Sequence, residues 1–228
     1  NDNIKITKCK SKECYDLSKL DTSEITDMSS IFRTSNFNGD ISNWNTSNVT
    51  SMLGMFNNAR TFNQKLNFDT SKVTNMDWMF YNAIEFNQPL NWNTSNVTNM
   101  EWMFCYARDF NQELNFNTSN VTDMTGMFYC AENFNQPLNF DTSKVTSMKE
   151  MFSYASSFNQ KLNFNTSNVI DMSYMFYKTN IFNQELNFDT SNITNMNSMF
   201  GYAESFNQAI IFDTSKVADM DYMFYNAK

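Results

Sequence analysis

The residues best suited to touch another molecule are Trp78, Tyr81, Trp102, Tyr106, Tyr129, Tyr154, Tyr174, Tyr177, Tyr202, Tyr222 and Tyr225. Tyr and Trp join a large apolar ring to one polar atom, which suits recognition. They carry no nucleophile and no general base at neutral pH. The chain of 228 residues has no His. A Ser-His-Asp triad, a Cys-His pair and a His-ligated zinc site are therefore excluded. No unrepeated acidic pair stands beside a nucleophile, so the expected protein is not an enzyme.

Four Cys remain. Cys9 and Cys14 lie close together before the regular part of the chain and are candidates for a disulfide in an oxidising compartment. Two free thiols are the alternative, because sequence does not fix pairing. Cys105 and Cys130 sit far inside. With no C-x-x-C pair, no metal is expected, and no cofactor either. The column Asp69, Asn93, Asn117, Asp141, Asn165, Asp189, Asp213 reads better as helix N-capping beside Thr and Ser than as a calcium site, which wants six to eight oxygens.

The elements that would position the rings follow from a repeat. Residues 62–85 read FNQKLNFDTSKVTNMDWMFYNAIE, and the next 24 read FNQPLNWNTSNVTNMEWMFCYARD. The Thr-Ser pair recurs nine times at a spacing of 24, from Thr22–Ser23 to Thr214–Ser215. All 17 Met fall in two columns of this unit and all 23 Phe in three. With only 4 Gly and 2 Pro, the composition is that of one unit multiplied. A unit this short buries no core alone, and stacked neighbours do, which is the logic of a solenoid.

Two periods lie within a unit. Leu66–Asn67–Phe68 alternates like a short strand. Val73, Met76, Met79, Phe80 and Ala83 follow a three-to-four spacing that predicts a helical stripe. The expected fold is an α/β solenoid of about nine strand–turn–helix units: residues 1–16 form an N-terminal cap, and residues 17–228 a single array that continues beyond Lys228 or is capped by its last helix. On such a helix Trp78 and Tyr81 face away from the core, which is the ground for treating the rings as a binding stripe. The competing reading packs them flat between neighbouring coils.

Net charge is −8, from 24 acidic and 16 basic residues. That argues against nucleic acid and anionic lipid as partners. Lys5, Lys8, Lys10 and Lys12 form one basic segment, read as a solvated terminus. No run reaches the roughly 20 apolar residues of a membrane span, so no membrane insertion by this chain is expected.

The strings NWNTSNVTSMLGMFNNARTFNQ and NWNTSNVTNMEWMFCYARDFNQ resemble the repeats of mycoplasma-type surface lipoproteins, a repeat family of unknown function. That family is similar to the BspA-like leucine-rich-repeat surface proteins of bacteria and protists. The resemblance spans residues 17–228. It implies a leucine-rich-repeat-like, right-handed coil, an extracellular or cell-surface location with any signal or anchor outside this chain, and no catalytic residue. Phe at the strand columns departs from ordinary leucine-rich repeats. The resulting expectation is a non-catalytic surface or secreted module for protein binding or adhesion, with a host or cell-surface protein as partner. A carbohydrate-binding aromatic stripe and a purely structural spacer are the alternatives.

Overall fold

The computed structural model describes residues 17–227. The candidate pair Cys9 and Cys14, and the expected cap at 1–16, lie outside the described residues.

Each set of 24 residues closes one coil, and the coils stack. The register is visible in eight parallel bridges, from Asp27↔Ser51 through Asn75↔Asn99 to Asn195↔Asp219. Every bridge joins equivalent places of neighbouring coils. The hydrophobic columns then fall on one another. Met52, Met76 and Met100 are fully buried, as are Phe56, Phe80 and Phe104.

The expected α/β architecture is not what forms. Among the described residues the only helix is the three-residue 3-10 turn Leu17–Lys19. The parallel pairs are isolated bridges rather than a sheet. The strand–turn–helix unit and the leucine-rich-repeat-like, right-handed coil built on it are therefore corrected.

Backbone hydrogen bonding supplies the reason. From Met76 to Ala83, alternate N–H groups have different destinations. Those of Met79, Tyr81 and Ala83 close tight turns on Met76, Trp78 and Phe80 carbonyls, at 3.3, 3.0 and 3.0 Å. Those of Met76, Trp78, Phe80 and Asn82 leave the coil and donate to Asn99, Glu101, Met103 and Cys105 carbonyls, at 3.0, 2.9, 2.9 and 2.7 Å. An α-helix keeps all its bonds within itself. This segment gives half of them to its neighbour. The three-residue spacing of Met76, Met79 and Phe80, Ala83 fits a train of tight turns as well as a helical face.

Spacing also excludes helices. Phe56, Phe80 and Phe104 stack with centroids 5.5 and 5.6 Å apart. Packed helices need about 8–10 Å between axes. Turns are thin enough to stack at the ring distance, and helices of neighbouring coils are not.

The Leu66–Asn67–Phe68 segment is extended and alternates as expected, with Leu66 and Phe68 buried and Asn67 exposed. It does not become a strand. Phe62 and Phe86 lie 6.1 Å apart, and Phe68 and Trp92 6.3 Å. Among the described residues, the N–H groups of Gln64 to Phe68 find no protein acceptor. The coils are thus pinned along the turns, and the extended segment carries no backbone bonds of its own.

Side chains stitch the two regions. Thr70 is 1% exposed, and its hydroxyl donates to the Asn93 carbonyl of the next coil at 2.9 Å. Thr94 and Thr118 repeat this toward Asn117 and Asp141. Asp69, read from sequence as a helix cap, instead accepts the Ser71 N–H at 2.9 Å in a local turn. The Ser71 hydroxyl, with that N–H, holds its carboxyl below the usual range. Asn63 Oδ1 accepts both the Asn87 N–H at 3.0 Å and Gln88 Nε2 at 3.0 Å. The Asn and Gln columns are ladders between coils.

Burial comes from the neighbour. In the last described coil Met220 and Phe224 are 43% and 48% exposed, although their columns are fully buried inside the stack. Phe128, in mid-stack, lies 4.1 Å from Phe134 and 5.7 Å from both Phe104 and Phe152. Phe128→Ala should therefore cost about 3–5 kcal/mol in urea unfolding. A loss below about 1 kcal/mol would mean that the column does not carry the core.

Candidate functional site

Two residues per coil adopt a left-handed backbone. One column holds Trp78, Trp102, Glu150, Tyr174 and Tyr222, with φ of 58, 55, 58, 58 and 57°. The other holds Tyr106, Cys130, Tyr154, Lys178 and Tyr202, with φ of 57, 53, 59, 55 and 58°. Both lie at the third residue of a tight turn, where a positive φ is demanded. The turn throws these side chains outward, beside the Met-Phe core.

The Tyr residues alternate between this second column and the place just before it. Tyr81, Tyr106, Tyr129, Tyr154, Tyr177, Tyr202 and Tyr225 are spaced 25 and 23 residues in turn. Residues on the complementary path are Cys105, Cys130, Ser153, Lys178 and Gly201. Most of these are small. Each coil leaves room for the rings of its neighbours, and the repeat of this face is two coils.

The rings form one connected network. Along the zigzag, centroids are 5.9, 5.4, 5.6, 5.5, 5.5 and 5.3 Å apart, mostly edge to face. Trp78 joins through Tyr81 at 5.0 Å and Trp102 through Tyr129 at 5.8 Å. Tyr174 joins through Tyr177 at 5.4 Å and Tyr222 through Tyr225 at 5.6 Å. Every residue singled out in the sequence stripe is thus brought together on one face. Such ring pairs each contribute about 0.5–1.5 kcal/mol beyond area burial.

The face is neither fully open nor fully closed. Trp78, Tyr222 and Tyr225 are exposed, and the other rings are half-buried. Glycine marks where a ring leans on the next coil. At Gly126, which has φ of 58°, an added Cβ would lie 2.2 Å from the Trp102 ring.

One residue absent from the sequence reading belongs here. Lys178 Nζ lies 5.0, 5.7 and 5.1 Å from the Tyr154, Tyr177 and Tyr202 centroids. The ring faces draw in the ammonium. The signal was its place on the complementary path among Cys, Ser and Gly.

Electrostatically the face is quiet. Burial pushes the Tyr81, Tyr106, Tyr129 and Tyr177 hydroxyls above their ordinary value. Burial also raises the Cys105 thiol and pushes Cys130 up to about 11. Among the described residues no group of three or more His, Cys, Asp or Glu is placed to hold a metal ion. None of their helices is long and apolar enough to cross a membrane. The arrangement offers ring faces, hydroxyls and one caged ammonium.

A family model described as Mycoplasma protein of unknown function, DUF285, matches residues 4–114, 90–186 and 162–228. No curated protein matches the chain.

The buried thiols make two predictions. In a Cys9→Ser, Cys14→Ser background, Cys105 and Cys130 should resist a disulfide reagent at pH 8 and react at once in urea. Rapid native labelling would contradict their burial. The folded thiol pKa lies above the unfolded one. Its contribution to stability is therefore complete below the ordinary thiol value and is lost as pH rises through the folded value near 11. Urea midpoints should fall across that window, and by less in Cys130→Ser.

Proposed function

The chain belongs to the Mycoplasma family of unknown function DUF285, and on that footing we propose a non-catalytic binding module. It acts at the cell surface or outside the cell and presents the Tyr–Trp face to a protein partner. One observation carries this reading: the rings from Trp78 to Tyr225 are contiguous on a single face and keep part of their surface in water. Tyr and Trp dominate binding where they cluster, because a large rigid ring gives contact at low entropic cost. The face extends along the stack, so it suits a partner of length rather than a small compact ligand.

A second reading, a spacer stiffened by its rings, is supported by the edge-to-face contacts themselves. A pair of variants separates the two. Tyr106→Phe, Tyr154→Phe, Tyr202→Phe keeps the ring ladder and removes hydroxyls. Trp102→Ser, Tyr106→Ser, Tyr129→Ser, Tyr154→Ser removes the rings. The immobilised chain should capture cell-surface proteins, the Ser variant at least about tenfold less. The Phe variant should melt within roughly 3 °C of the parent and lose part of the capture. Equal capture by parent and Ser variant would sink the binding reading. A large drop in melting temperature with no capture by the parent would favour the spacer.

A further inference from the structure

The ring ladder has a beginning, and that place is hollow. In the two coils before Trp78, the ladder columns hold Ser30, Gly54, Asn57 and Asn58 instead of rings. A recess of about 370 Å³ remains, walled by Trp78 and Tyr81 and edged by Arg33 and Leu53. Gly54 shows how open it is. Its added Cβ would meet nothing nearer than Ser30 Oγ at 3.4 Å, whereas the same column at Gly126 meets a Trp ring at 2.2 Å.

A chain of amides ends in this recess. Asn82 Nδ2 donates to Asn58 Oδ1 at 2.7 Å. Asn58 Nδ2 donates to Asn57 Oδ1 at 2.6 Å. Asn57 is 8% exposed. Its own Nδ2 lies 3.9 Å from the place of a Gly54 Cβ and has no acceptor among the described residues. Each donated bond polarises the next amide, so this last donor is strengthened.

The lining specifies chemistry. It holds a cation in Arg33, which is exposed and makes no ion pair among the described residues. It holds the Asn57 amide donor, two aromatic walls, and no carboxylate. An occupant must bring a negative charge, hydrogen-bond acceptors and a flat face of C–H groups, whose partial positive charge suits a ring face.

We propose that this recess binds an acidic sugar residue of the hexuronate class. The carboxylate pairs with Arg33 in the bidentate manner guanidinium favours. The Asn57 amide donates to a ring or hydroxyl oxygen. The sugar's C–H face lies against Trp78. The site stands on its own geometry and does not depend on capture of a protein by the ring face.

The test titrates the full chain with D-glucuronate, D-glucose and inorganic phosphate, read by Trp emission and by saturation-transfer NMR. Glucuronate should bind saturably, with glucose and phosphate each at least about tenfold weaker. Arg33→Gln should bring glucuronate down to the level of glucose. Gly54→Asn, tolerated at a left-handed position, fills the space and should abolish binding at an unchanged melting temperature. Equal binding of the two sugars would remove the role of the carboxylate. Phosphate as strong as glucuronate would reduce the recess to a plain anion site and overturn the sugar class. No saturable response, or binding that survives Gly54→Asn, would overturn the site itself.

Discussion

The structure depends on how each coil divides its backbone hydrogen bonds. A buried N–H must be satisfied, and a short segment has two ways to do it. It can coil on itself, or it can bond to a neighbour. Here both are used in alternation, residue by residue, from Met76 to Ala83. Tight turns supply the first half and the next coil supplies the second. No single coil can stand alone under this division, because half its bonds in this stretch belong to the stack. Cooperativity between coils is thus written into the backbone as well as the core.

The rest follows from that rule. Bonding between coils along the turns fixes the register, and the register lays Phe on Phe and Met on Met. The extended segment, free of such bonds, is held by side chains at its ends: buried Thr hydroxyls at one and Asn carboxamides at the other. The Phe columns stack at 5.5 Å near the turns, and Phe68 stacks on Trp92 at 6.3 Å. The indole N–H of Trp92 reaches back to the Leu66 carbonyl at 3.3 Å. On that face a side chain supplies a donor that the backbone does not.

Much of this was legible in the residues, and some was not. The period, the two Met columns, the three Phe columns and the need for stacking can be read from the repeat alone. The elements within a coil cannot, because Met76, Met79, Phe80 and Ala83 satisfy a helix and a train of turns equally well. What decides is the distance between coils, which no pattern within one coil contains. The ring face was legible as a set of residues. Its connectivity was hidden in a detail, the alternation of 25 and 23 between successive Tyr. Reading the unit as a helix put Tyr81 and Tyr106 on a common outer face. In the turns they occupy different backbone conformations, and the zigzag arises from that difference. Lys178, Gly54 and Asn57 carry no signal in the repeat because they are departures from a column rather than members of it.

The left-handed positions bear most directly on what the rings do. A non-glycine residue there costs of order 1–2 kcal/mol, and Gly or Asn would avoid much of it. The chain uses them at Gly54, Gly126, Asn58 and Asn82. Yet Trp78, Trp102, Tyr106, Tyr154, Tyr174, Tyr202 and Tyr222 sit at equivalent places. Ring contacts of about 0.5–1.5 kcal/mol each, beyond the area the rings bury, offset that strain. The core is complete without them, since its Met and Phe columns do not change where Gly replaces Trp. Lys178 differs from the surface lysines: held among three rings, it places a positive charge at a defined point of the ring face.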